Sequence, residues 1–141
     1  MESNLNSVYL PLRLTFGLVP IAAGADKFTN MLADWAGYLP SFAGDLLPVS
    51  PAVFMGIVGV IEIIAGLVVL TGMTRLGGYI VMLWLTLIAV NVAVAGHLDI
   101  AVRDLVMAVG AFTLAQVSAM RGEPLLPTSW PPTQAKPAHA G

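Results

Sequence analysis

Residues 51–73 read PAVFMGIVGVIEIIAGLVVLTGM, and the fold turns on how this run is understood. Apart from Glu62 it is apolar or small throughout, and it is long enough to cross a bilayer core, which takes about 20 helical residues. Glu62 falls near its midpoint. An ionisable group at that depth costs roughly 2.5–3.5 kcal/mol on insertion scales. A buried partner, a bound proton or a function has to offset that cost. At about 100° per residue, Met55, Gly59, Glu62, Gly66 and Met73 share one stripe of a helix. Glycines beside the carboxyl let a neighbouring helix approach closely, so the stripe faces the inside of a bundle.

Composition agrees with a membrane setting. The chain has 141 residues, 57% of them hydrophobic and 10% charged, and its mean hydropathy is +0.86. Soluble domains carry about a quarter charged residues. A net charge of −2 leaves no basic patch for phosphates, which argues against nucleic acid as a partner. With no cysteine, disulfides, thiol chemistry, iron–sulfur clusters and cysteinyl zinc sites are excluded.

Working outward, the pattern predicts an all-α membrane protein. It is a four-transmembrane-helix up-down bundle with an interfacial segment after the first helix. The helices are expected at about residues 8–28, 51–73, 76–96 and 101–120, making one membrane domain over 1–120. Residues 121–141, rich in Pro and Ala without apolar period, read as an extended or disordered cytoplasmic tail. The first helix has a polar stripe of Arg13, Gly17, Pro20, Gly24 and Lys27. Between the first two helices, Trp35, Tyr38 and Phe42 mix with Asp34, Pro40 and Asp45. That suits either a loop with aromatic anchors at the membrane surface or a lid over a lateral site. Arg75, Arg121 and Lys136 lie on the side of the termini, with Arg13 just inside it, against Lys27 and Arg103 on the other side among Asp26, Asp34, Asp45, Asp99 and Asp104. The positive-inside rule then places both termini in the cytoplasm.

Two polar groupings could carry chemistry. Glu62 is within reach of Arg13, with a depth gap of roughly 9 Å that a guanidinium can largely close. The pairing reads as a structural bridge, as a protonated Glu62 bonded to backbone, or as a site for a polar headgroup or a proton relay. The second grouping lies at the far face: Asp26, Lys27, Asn91, His97, Asp99, Arg103 and Asp104. Lys27 and Arg103 can simply reach outward and pair with neighbouring acids. Alternatively His97 and Arg103 hydrogen-bond a carbonyl oxygen, as a quinone requires. The spacing offers no zinc, di-iron or calcium set, and His97 has no second intramembrane histidine for haem. Hence no intrinsic cofactor is expected; a bound quinone is one candidate ligand, and nothing in these residues selects it over a lipid headgroup.

Several stretches resemble the DoxX/DoxD-like membrane proteins. They are Leu12-Arg13-Leu14 leading to Gly17, Ala23-Gly24-Ala25-Asp26-Lys27-Phe28, and Gly59-Val60-Ile61-Glu62 followed by Gly66, Gly72 and Arg75. His97 followed by Val102-Arg103-Asp104-Leu105 completes the set, which spans roughly residues 10–120. The resemblance implies a four-helix protein of a bacterial or archaeal inner (plasma) membrane. Relatives include small subunits linked to quinone-reducing sulfur oxidation and to a membrane-associated oxidoreductase assembly. It therefore implies an accessory subunit of a quinone-linked redox complex rather than an enzyme by itself. Its partners would be the lipid bilayer and either another membrane or peripheral redox protein or a second copy of the chain. It draws attention to Arg13, Lys27, Glu62, His97 and Arg103, and leaves any thiol or sulfane-sulfur transfer to a partner. A small proton-coupled carrier using Glu62, or a structural anchor or assembly factor, are the alternatives.

Overall fold

The computed structural model describes residues 2–126. Among these residues the secondary structure is entirely helical. Four long helices form the body: α1 (Glu2–Asp26) and, after an intervening segment, α3 (Pro51–Leu70), α4 (Thr74–Val94) and α5 (Leu98–Met120). All four are long and apolar enough to cross a membrane. The intervening segment holds a 3₁₀ turn (Trp35–Tyr38) and the single-turn helix α2 (Ala43–Leu46). The tail expected over 121–141 falls largely outside the described residues.

The helix limits differ from expectation for local reasons. α1 starts at Glu2 rather than near residue 8. α3 opens on Pro51, whose missing N–H is no loss in a first turn, and Ser50 Oγ accepts the Val53 N–H at 3.4 Å. It ends at Leu70 instead of 73 because Gly72 takes φ +94°, which reverses the chain toward α4. Gly96, at φ +92°, does the same between α4 and α5. α5 then begins at Leu98, three residues earlier than expected, with Asp99 in its first turn.

The helices alternate in direction. α1 packs chiefly on α3 and α4 on α5, while α3–α4 and α1–α5 contacts close the ring. The core on the side of the chain termini contains Tyr9, Phe16, Val69, Val81, Leu114 and Val117. A smaller cluster of Ala89, Val92 and Ala101 lies toward the far side, with Tyr38 packed against it. The opposite faces, such as Val53, Ile57, Val60, Ile64 and Leu67 of α3, are exposed. Apolar outward faces around a small-residue interior are what a bundle in lipid requires, where close packing rather than hydrophobicity holds helices together.

Candidate functional site

Glycine spacing sets the geometry of the site. Gly17 and Gly24 of α1 are seven residues apart, as are Gly59 and Gly66 of α3. In the antiparallel pair they interlock: a Cβ on Gly24 would run into the Gly59 carbonyl, and one on Gly66 into the Gly17 carbonyl. This register sets the Lys27 Cβ against Gly59, about 4.5 Å farther out than Glu62. The lysine stem spans that distance inward. Lys27 Nζ reaches Glu62 Oε2 at 2.6 Å, with the two side chains only 4% and 7% exposed.

The aromatic turn covers this pair. Lys27 Nζ sits 3.8 Å from the centre of the Trp35 ring, a cation–π contact. Trp35 Nε1 donates to Asp26 Oδ2 at 2.8 Å. The Asp26 carboxylate also accepts from Thr29 Oγ1 (2.8 Å) and from the backbone N–H groups of Met31 and Leu32 (2.9 Å each). Asp26 thereby folds the chain back over the end of α1 and holds Trp35 in place. On the lipid side the Phe28 ring lies over Gly56 and Gly59.

Two more residues face Glu62 from across the bundle. The Trp84 indole of α4 lies beside its carboxylate, yet Nε1 is buried without closing a hydrogen bond. Asp104 of α5, also buried, is within electrostatic reach of Glu62. Its counter-charge is Arg103, whose Nε is 3.6 Å from Oδ1.

A separate cavity opens under the interfacial segment. Tyr38 packs edge-on against His97, with ring centres 5.3 Å apart, and its carbonyl accepts from Asn91 Nδ2 at 3.2 Å. Behind the turn, Leu39, Phe42, Ala43, Leu46, Phe54, Asn91 and Val94 help to line about 280 Å³. Asn91 is the one polar side chain in that lining.

The expected Arg13–Glu62 pair does not form. Arg13 is level with Leu70, about 12 Å from the Glu62 turn, and meets the end of α3 first. Its Nε and Nη2 donate to the carbonyls of Val69 (3.3 Å) and Leu70 (2.5 Å). These carbonyls end a helix, where a cation suits them well; the Val69 oxygen also accepts from Thr74 Oγ1 at 2.9 Å. Lys27, expected to reach outward, turns inward instead, because Glu62 is the buried acid nearest its stem. Arg103 does pair with its neighbouring acid and is 66% exposed at the side chain. The far-face grouping is thus divided: Lys27, Asp104 and Asp26 are buried on the side of Glu62, whereas Asn91 and His97 frame the Tyr38 turn. Trp84 was not among the residues singled out from sequence; an indole on an apolar span carries no pattern that marks it.

No group of His, Asp and Glu is disposed to hold a metal ion among the described residues. The family model described as DoxX matches residues 8–97, which takes in α1, the interfacial segment, α3, α4 and His97. No curated protein and no solved structure matches the chain.

Proposed function

The chain belongs to the DoxX family, and we propose that it serves as an accessory subunit of a quinone-linked redox assembly in a bacterial or archaeal plasma membrane. The supporting observation is the cavity beneath the interfacial segment. It is about 280 Å³, at the lower edge of the range for small-molecule sites, which suits a quinone ring with the start of its tail. Its walls are apolar but for Asn91. One Asn91 N–H is committed to the Tyr38 carbonyl, leaving the other N–H to hydrogen-bond a quinone oxygen. His97 stacks edge-on against Tyr38 outside that lining. A bound quinone supplies two-electron redox chemistry that no side chain of this cysteine-free chain provides. The protein's part is to hold and orient the ring and to keep it out of water, while a partner brings the electrons. Arg75 and Arg121 on the side of the termini orient both ends to the cytoplasm, and the cavity then opens to the outer leaflet.

The test is purification in mild detergent, followed by lipid extraction and mass spectrometry of everything retained. A quinone and a redox protein should accompany the wild-type chain. Asn91→Leu should lose the quinone while keeping the protein partner. A lone homo-oligomer bearing neither overturns the reading.

A further inference from the structure

Aromatic anchoring would have the rings of the interfacial segment face outward, but two of them turn in: Trp35 lies over Lys27 and Tyr38 against His97. What points outward is the tip of the turn that follows α1. Met31 is 84% exposed and Leu32 74%, the two most exposed large apolar side chains among the described residues. Exposed Phe28 beside them walls a groove of about 450 Å³ along the start of α3, lined otherwise by Ala52, Val53, Gly56, Ile57 and Val60. The groove has no polar side chain in its lining.

The backbone beneath this tip leaves no donor for water. Lys27 and Phe28 donate to the carbonyls of Ala23 and Ala25, at 3.3 and 3.1 Å, and Thr29 and Asn30 to the Asp26 carbonyl, at 2.9 and 2.6 Å. Met31 and Leu32 donate to the two carboxylate oxygens of Asp26, at 2.9 Å each. Every N–H from Lys27 to Leu32 is thereby bonded within the turn, around an aspartate that is buried. Asn30 carries the reversal at φ +49°, a left-handed conformation that its short polar side chain tolerates. A loop in water has no need of this closure, since solvent accepts from exposed amides. In hydrocarbon the backbone has to satisfy itself. Depth agrees: the Lys27 Cβ lies against Gly59 and the Phe28 ring over Gly56, about 7.5–12 Å inside the start of α3 at Pro51. The Asp26 carboxylate tethers the Met31 and Leu32 amides to that level.

We propose that residues 28–32 form a non-helical tip seated among the lipid acyl chains, and that Asp26 is the clasp that lets the backbone enter there. The occupant of the groove beside Phe28 is an acyl chain of the surrounding leaflet, and Met31 and Leu32 rest between its neighbours. Exposed Asn30 and Asp34 flank the pair and meet the headgroups. The tip lies apart from the cavity behind Tyr38, so this proposal stands or falls whether or not a quinone binds there.

The chain has no cysteine, so the full-length protein can carry a nitroxide on single Met31→Cys, Leu32→Cys, Val60→Cys or Asp45→Cys variants. In vesicles of phosphatidylethanolamine and phosphatidylglycerol, collisions with oxygen, which concentrates in hydrocarbon, are compared with those of a water-soluble nickel chelate. Labels at positions 31 and 32 should match the one at 60, on the exposed face of α3, with oxygen favoured several-fold; the label at 45 should show the reverse. Nickel access at 31 and 32 equal to that at 45 overturns the proposal. Immobilised labels shielded from both reagents also overturn it, since a partner protein or a second copy then covers the tip. Asp26→Asn sets an amide NH₂ against N–H groups that the carboxylate now receives. In the folded variant it should raise nickel access at 31 or 32 several-fold and leave 60 unchanged. Unchanged depth at both positions refutes the role of the clasp, and the labels on an otherwise native chain decide the seating of the tip even where that variant does not fold.

Discussion

Replacing Lys27 with Met keeps most of the apolar stem but strands the Glu62 carboxylate inside the bundle. At the observed 2.6 Å and an effective dielectric near 20, the lost attraction is about 6 kcal/mol before solvation is counted. Both charges gave up water to reach this place, and the net effect of removing one partner of a buried pair is about 3–5 kcal/mol. Loss of the contact with Trp35 at 3.8 Å adds on the order of 1 kcal/mol. Glu62→Leu alone should be similarly damaging, since it strands the ammonium. The double variant Lys27→Met/Glu62→Leu removes both charges at once and should return to within about 1 kcal/mol of wild type, because apolar replacement of a buried pair is often neutral. Reversible unfolding in mixed micelles, run on all four proteins, yields the coupling energy. We expect at least about 3 kcal/mol. A coupling below about 1 kcal/mol, the level of an exposed surface pair, would refute the claim that Lys27 and Glu62 are a desolvated unit.

Three other outcomes follow from the geometry. Gly59→Val puts a side chain against the Gly24 carbonyl, and should destabilise by on the order of 2 kcal/mol in the same assay; Val60→Leu, on the exposed face, should be silent. Arg13→Met leaves the Leu70 carbonyl without its donor while Val69 keeps Thr74 Oγ1, and should cost about 1–3 kcal/mol and speed amide exchange at the end of α3, with Glu62 unaffected. Because the chain has no native cysteine, single Asp45→Cys and Glu123→Cys variants report sidedness directly. An impermeant maleimide applied to intact cells should label the first and spare the second, and the reverse pattern would invert the proposed topology.

Long apolar runs interrupted by glycine-bearing turns made the four spans visible in the sequence, since lipid admits few alternatives to a helix. The lone acid within residues 51–73 was legible as inward-facing for the same reason. Its partner was not. Depth counted separately on each helix made Arg13 and Glu62 near neighbours, but what decides the match is how the two helices are offset. That offset was present in the sequence as the matching seven-residue spacings Gly17–Gly24 and Gly59–Gly66; aligned antiparallel, they bring Lys27 closer to Glu62 than Arg13. Asp104 was read as a first-turn member of the far-face polar grouping, because the last helix was expected to start at residue 101. Three more residues at the N-terminus of α5 move it inward by nearly a turn. The role of Trp35 rested on Asp26, whose folding-back of residues 29–35 depends on backbone N–H groups that no side-chain pattern records.

Ser50 fastens one end of α3 and the Arg13 guanidinium the other, so this helix has a fixed length of 20 residues, close to 30 Å. Unlike a span with frayed ends, it cannot be drawn out to suit a thicker membrane. Its longer companions can lean, but α3 is interlocked with α1 through paired glycines and must lean with it. Around this protein the adjustment therefore falls on the lipids, whose chains have to shorten or tilt to meet it. Since about 30 Å matches an ordinary bilayer core, that adjustment is called on only where the surrounding membrane is thicker or thinner.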